Sequence, residues 1–136
     1  MCLFTDASDN FWSAMLVHTH ADNMDQPISE RQYEPLSFLS GTFKNSAINW
    51  SVPEKEGFAI VEAMTKLDYL TMGRLVYIST DHANLLQLYD PEHSRYHIPR
   101  YAMNKMMRWA TKLSAFNYVI EHIPGEENVW VDMVSR

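Results

Sequence analysis

Ser51-Val52-Pro53-Glu54-Lys55-Glu56-Gly57-Phe58-Ala59-Ile60-Val61-Glu62-Ala63-Met64-Thr65-Lys66-Leu67 is the run whose pattern decides the fold, because it holds a helix start, a helix face and an anomaly on that face. Ser51 followed three residues later by Glu54 has the form of a capping box. Pro53 falls in the first turn, where its missing N–H costs nothing. Apolar residues then recur at helical spacing through Leu70, and Gly73 predicts the stop. With Glu56 set at zero on a wheel of about 100° per residue, Ile60, Ala63, Leu67 and Leu70 all fall within roughly 40° of it. Glu56 therefore lies in the middle of the core-facing stripe, whereas Glu54 falls near the opposite face. A carboxylate aimed into a core needs a cation or hydrogen-bond donors, and metal binding is one way to supply a cation.

Upstream of this helix, Met1–Ala7 and Phe11–Thr19 predict two strands joined by a turn at Asp6-Ala7-Ser8-Asp9-Asn10. Residues 20–34 read as a loop, and Pro35–Phe43 as a third strand bulged at Gly41. Short connections make these three an antiparallel meander. Downstream come a strand over Leu75–Thr80, a short helix over Asp81–Tyr89, a loop over 90–99 and an amphipathic helix over Tyr101–Phe116. A strand over Tyr118–Ile123, a turn at Pro124-Gly125 and a last helix over Val129–Arg136 complete the chain. The order βββαβαβα, with the fourth strand parallel to the first, predicts an α/β domain whose mixed five-stranded sheet is flanked by helices.

That topology gives the acids a geometry. Asp6 ends the first strand and Asp81 the fourth, so parallel neighbours project both from one edge of the sheet, where ligand sites in such folds lie. One such aspartate alone reads as a turn or cap residue; two at equivalent edges favour function. Asp132, near the start of the last helix, is by itself a residue suited to the helix dipole. Three Asp and one Glu form a hard-oxygen donor set that suits Mg²⁺ or Mn²⁺ better than zinc. Two such ions about 4 Å apart clamp an in-line phosphodiester displacement.

Composition bounds these readings. A chain of 136 residues supports one domain with a single core. Its net charge of −6 argues against a stand-alone, high-affinity nucleic-acid binder. The lone Cys2 excludes an internal disulfide and fits a reducing, intracellular setting. No run is long and apolar enough for a spanning segment, and no secretory signal opens the chain, so no membrane partner is expected. The chain enters its first strand at the first residue, which predicts excision from something longer.

The residues also carry a resemblance. Leu3-Phe4-Thr5-Asp6-Ala7-Ser8, Pro35-Leu36-Ser37-Phe38-Leu39-Ser40, Glu54-Lys55-Glu56-Gly57-Phe58-Ala59-Ile60-Val61 and Ser79-Thr80-Asp81-His82 are similar, in order, to blocks of the ribonuclease H domain of Ty3/gypsy-type LTR retrotransposon polyproteins. The ending His122 to Arg136 resembles the C-terminal signature of that family. The resemblance implies an RNase H-like fold, with Asp6, Glu56, Asp81 and Asp132 as ligands of two Mg²⁺ (or Mn²⁺). These are the four acids that position had already selected. It implies endonucleolytic cleavage of the RNA strand of RNA–DNA hybrids, leaving 5′-phosphate and 3′-hydroxyl ends. It further implies a reverse transcriptase domain in the same polyprotein, whose basic surface would hold the hybrid, and a cytoplasmic virus-like particle as the setting. Substrate choice would rest on 2′-hydroxyls and hybrid shape. Phe11-Trp12-Ser13 stand where the family carries glycines and Val131 where it carries alanine. Gly57 replaces a larger residue and costs the helix about 1 kcal/mol relative to Ala.

His122, ten residues before Asp132, has the spacing of the assisting histidine of related enzymes, the alternative being a strand-end residue without a role. His82 packs locally or touches substrate. His18, His20, His93 and His97 lack the paired motif of structural zinc. Lys105, Arg108 and Lys112 recur on one helix face that either contacts phosphates or is simply solvated. Ser8 and Asn84, beside the acids, are candidates for bonding the RNA backbone, and Met103, Met106, Met107 and Leu113 are core filler. Two other readings compete with the active nuclease. One is a catalytically degenerate module of the same fold that positions nucleic acid or supports the polyprotein. The other is a transposase- or integrase-like DNA enzyme, against which the early position of Glu56 counts.

Overall fold

The computed structural model describes residues 1–18, 34–81, 85 and 100–123, with 100–103 as backbone only. Strands β1 (Cys2–Ala7), β2 (Phe11–His18) and β3 (Glu34–Thr42) are followed by a 3-10 turn (Asn45–Asn49), α1 (Val52–Lys66) and α2 (Asp68–Thr71). Then come β4 (Val76–Thr80), α3 (Arg100–Leu113) and β5 (Tyr118–His122). The sheet order is β3-β2-β1-β4-β5. β1 to β3 form the expected antiparallel meander, and β4 lies parallel to both β1 and β5. The predicted final helix lies outside the described residues, as does nearly all of the predicted helix over Asp81–Tyr89.

Both faces of the central strands are covered, which is why β2 reads as an almost unbroken apolar run rather than an alternating one; Trp12 through Val17 are all buried. On one face, α1 sets Ala59, Ile60, Ala63, Met64 and Leu67 over Leu3, Ala14, Leu16 and Ile78, and α3 adds Met106, Trp109 and Leu113. On the other, Cys2, Phe4, Met15, Val17 and Ile123 cluster, with Tyr77 packed against them. Fully buried aliphatic side chains such as Leu3, Leu16, Ile60 and Ile78 each stabilise the fold by about 1.5–3 kcal/mol. Cys2 is a buried thiol outside any disulfide, and no helix among the described residues is long and apolar enough to cross a membrane.

The helix start forms as its residues dictate. Ser51 accepts from the Glu54 N–H and Glu54 accepts from the Ser51 N–H, closing the capping box. The helix is interrupted at Leu67, resumes as α2 and stops before Gly73, whose φ of +80° is the left-handed conformation a glycine adopts without strain. Two expectations are corrected. Gly41 is not bulged: it pairs regularly with Trp12, and the irregular step lies between Leu16 and Val17. Gly41 is needed because a Cβ there would stand 2.4 Å from the Trp12 Nε1 atom. Trp12, in the segment that departs from the family's glycines, thus crosses a glycine on the next strand and meets Phe58 edge-on at 6.2 Å. Glu54 is the second correction, since it is buried rather than solvated.

Candidate active site

Phe4 pairs with Ser79 across the parallel β1–β4 ladder. Asp6 and Asp81 each follow two residues later, so the register brings them to one level at one edge of the sheet. Both are half-buried. Glu56, in the second turn of α1, is 2% exposed and reaches the same edge, where its Oε1 accepts from the Ala7 N–H at 3.1 Å. Burial, with the neighbouring Asp81 and Asp6 carboxylates acting in the same direction, pushes the Glu56 carboxyl up to about 9, against the Ala7 hydrogen bond. Each acid arrives by a different element, and they share one edge only because β4 pairs beside β1.

A divalent cation suits these residue types chemically, since all the donors are hard carboxylate oxygens and Glu56 is driven to hold a proton by its burial and by the acids beside it. Among the described residues, Asp6, Glu56 and Asp81 included, no three His, Cys, Asp or Glu side chains stand close enough together to hold a metal ion. The acids feel one another's field without being drawn onto a common point. Asp132 lies outside the described residues, as do His82 and Asn84. His20, His93 and His97 lie outside them too.

His122, at the end of β5, is exposed, with Nε2 3.2 Å from the Asp81 carbonyl oxygen. A carbonyl only accepts, so this nitrogen carries the proton. Ser8 is exposed in the β1–β2 turn and exchanges hydrogen bonds with the Phe11 backbone. Arg108 and Lys112 are exposed on α3, but Lys105 is half-buried. Its ammonium pairs with Glu54 and lies 3.9 Å from the centroid of the Trp50 ring and 5.6 Å from that of Trp109. Of the three basic residues, Lys105 therefore has its charge engaged inside the protein.

Helical periodicity did not show two features. One is the Glu54–Lys105 pair roofed by Trp50 and Trp109, whose rings stand 5.5 Å apart and tilted. The other is Lys55, 6% exposed, which donates to the Asp9 carbonyl. The signal for the first was Trp50 immediately before the cap. The second left none beyond a lysine between two acids.

Residues 1–116 match the family described as the RNase H-like domain found in reverse transcriptase. The chain is 30% identical over 128 residues to a retrovirus-related Pol polyprotein from transposon 297 of Drosophila melanogaster, covering 93% of this chain and 11% of that protein. It is 29% identical over 140 residues to the transposon Tf2-3 polyprotein of Schizosaccharomyces pombe, covering 98% of this chain and 9% of that one. Among solved structures, LC11-RNase H1 in complex with an RNA/DNA hybrid superposes with a TM-score of 0.67 at 16% identity, covering 98% of this chain and 92% of the other. That likeness concerns the fold.

Proposed function

Since this chain belongs to the RNase H-like domains found in reverse transcriptase, we propose that it is a metal-dependent endoribonuclease that cuts the RNA strand of RNA–DNA hybrids. The observation that carries the reading is Glu56, buried in the core-facing stripe of α1 and held toward its protonated form beside Asp81 and Asp6. Such a carboxyl is costly in a purely structural role, and a nuclease uses it. Asp6, Glu56 and Asp81, with Asp132, would hold two Mg²⁺ or Mn²⁺ ions, which when bound polarise the scissile phosphate and supply an activated water.

The remaining work belongs to the chain. Glu56 gives up its proton when the site is loaded, so occupancy tightens as pH rises. The Ala7 N–H keeps the Glu56 carboxyl oriented toward the sheet edge. His122, its Nε2–H committed to the Asp81 carbonyl, keeps Nδ1 as the basic nitrogen available to a departing product. The exposed Ser8, Arg108 and Lys112 offer contacts to the nucleic-acid backbone, with Asn84 a further one. The reading places the domain in a cytoplasmic virus-like particle. There the polymerase of the same polyprotein supplies the basic surface that a chain of net charge −6 lacks.

The test is cleavage of a labelled RNA–DNA hybrid in Mg²⁺ and in Mn²⁺, with Asp81→Asn as control. RNA-only cutting that leaves 5′-phosphate ends and is abolished by the variant and by chelator is expected. Absence of cutting in either metal, with the polymerase added in trans, would replace the reading by the degenerate module.

A further inference from the structure

Lys55 is a buried ammonium outside the set of acids. It is 6% exposed, its Nζ donates to the Asp9 carbonyl at 2.5 Å, and it lies 5.4 Å from the centroid of the Phe43 ring. Its partner belongs to the β1–β2 turn, the segment that directly follows Ala7 at the end of β1. That turn is otherwise exposed at Ser8, Asp9 and Asn10. It closes on itself through the Ser8 N–H to the Phe11 carbonyl at 2.8 Å, and Phe43 anchors it by donating to the Asn10 carbonyl at 2.9 Å.

Helix α1 therefore grips the end of β1 and the turn after it with consecutive residues of opposite polarity. Glu56 accepts from the Ala7 N–H, and Lys55 donates to the Asp9 carbonyl. The two grips differ in what else they serve. The Glu56 carboxyl belongs to the set of acids at the sheet edge. The Lys55 grip involves no acid of that set, only the Asp9 carbonyl. An apolar side chain of similar length would fill the same space without the cost of burying an ammonium, so the charge is accounted for by the carbonyl it holds.

We infer that Lys55 is a positioning residue that pins the β1–β2 turn to the start of α1, keeping Asp6 and the Ala7 N–H in place while the carboxylates are loaded. Its consequence for the metal site rests on the nuclease reading above; the grip itself does not.

The experiment compares the 136-residue chain with Lys55→Met and Lys55→Arg. Amide hydrogen exchange is followed at Ala7 and Ser8 without metal, with Leu3 on the same strand reporting global opening. Lys55→Met is expected to speed exchange at Ala7 and Ser8 about tenfold with Leu3 unchanged. It is also expected to raise about tenfold the Mn²⁺ concentration that half-broadens those amides. Lys55→Arg restores a donor and should bring both within about twofold of the parent. Unchanged protection at Ala7 and Ser8, acceleration only in step with Leu3, or unchanged Mn²⁺ binding would each overturn the inference. Should Lys55→Met not fold, the unaltered chain decides. Lys55 ammonium protons exchanging with water far more slowly than those of exposed Lys112 support the grip, and equal rates refute it. A parent chain that shows the exchange pattern but cuts no hybrid counts against the nuclease reading alone. Normal cutting with an unaffected Lys55→Met removes the Lys55 role alone.

Discussion

Glu54 and Glu56 stand two residues apart in the first turns of α1 and are almost equally removed from water, at 3% and 2% exposure. Burial would raise the Glu54 carboxyl. Hydrogen bonds from Lys105 and from the Ser51 backbone and hydroxyl, with the Lys105 charge, instead bring it below its ordinary value. Around Glu56, burial and the Asp81 and Asp6 carboxylates act in one direction and carry it to about 9. The helix is the same and so is the depth. What differs is whether the neighbours answer the charge or repeat it. A buried acid with a cation and a cap is a structural joint, whereas one among other acids is, on the proposed nuclease reading, where a cation from outside would bind.

The comparison breaks most visibly at Glu56. Glu56→Gln should lower hybrid cleavage about 1,000-fold, roughly 4 kcal/mol of transition-state stabilisation, while leaving the fold intact. Its effect on stability has the opposite sign. In the metal-free protein the folded carboxyl keeps its proton up to about pH 9, whereas the unfolded one releases it near its ordinary 4.5. The folded form binds more protons between those values, so stability falls as pH rises through that window. Glu56→Gln cannot ionise and should flatten the fall, leaving the variant about 1–3 kcal/mol more stable than the parent at pH 8 in urea melts. A variant that lost activity and stability together would make Glu56 an ordinary core residue.

Glu54→Gln should do the reverse, lowering stability by about 2 kcal/mol at neutral pH by leaving a half-buried Lys105 without its anion. Cleavage by the folded fraction should fall by less than about tenfold. Because the folded Glu54 carboxyl is depressed, its stabilisation is present above pH 4.5 and lost as pH falls through its folded value. Urea melts between pH 3 and pH 7 should therefore converge for parent and variant at the acid end. A third glutamate on the same helix sets the floor. Glu62 pairs with Lys66 at 3.4 Å, with side chains 32% and 52% exposed, and Glu62→Gln should change stability by no more than about 0.5 kcal/mol. A larger change would mean that sequence position along α1, not surroundings, sets the energetics.

Much of this was legible beforehand. The start of α1, its apolar stripe and its stop at Gly73 come from contacts within a turn or two, and Glu56 stood out because it interrupted that stripe. The strands followed from β-branched and aromatic runs. Glu54 was placed on the solvent side because a wheel records only its own helix, whereas its cover is Trp50 before the helix and Lys105 and Trp109 on α3. Gly41 was read as a bulge because strand glycines often are, when its actual reason is an indole from the neighbouring strand.

Local order and the identity of the anomalous acid were thus written in short stretches, since capping, periodicity and turn chemistry act over a few residues. The field of Asp6 and Asp81 on Glu56, the raised Glu56 carboxyl, the anion for Lys105 and the carbonyl for Lys55 were decided by packing. Each depends on groups far apart in the chain that β1–β4 pairing and helix docking bring within a few ångströms. Fields and desolvation act through space, not along the backbone.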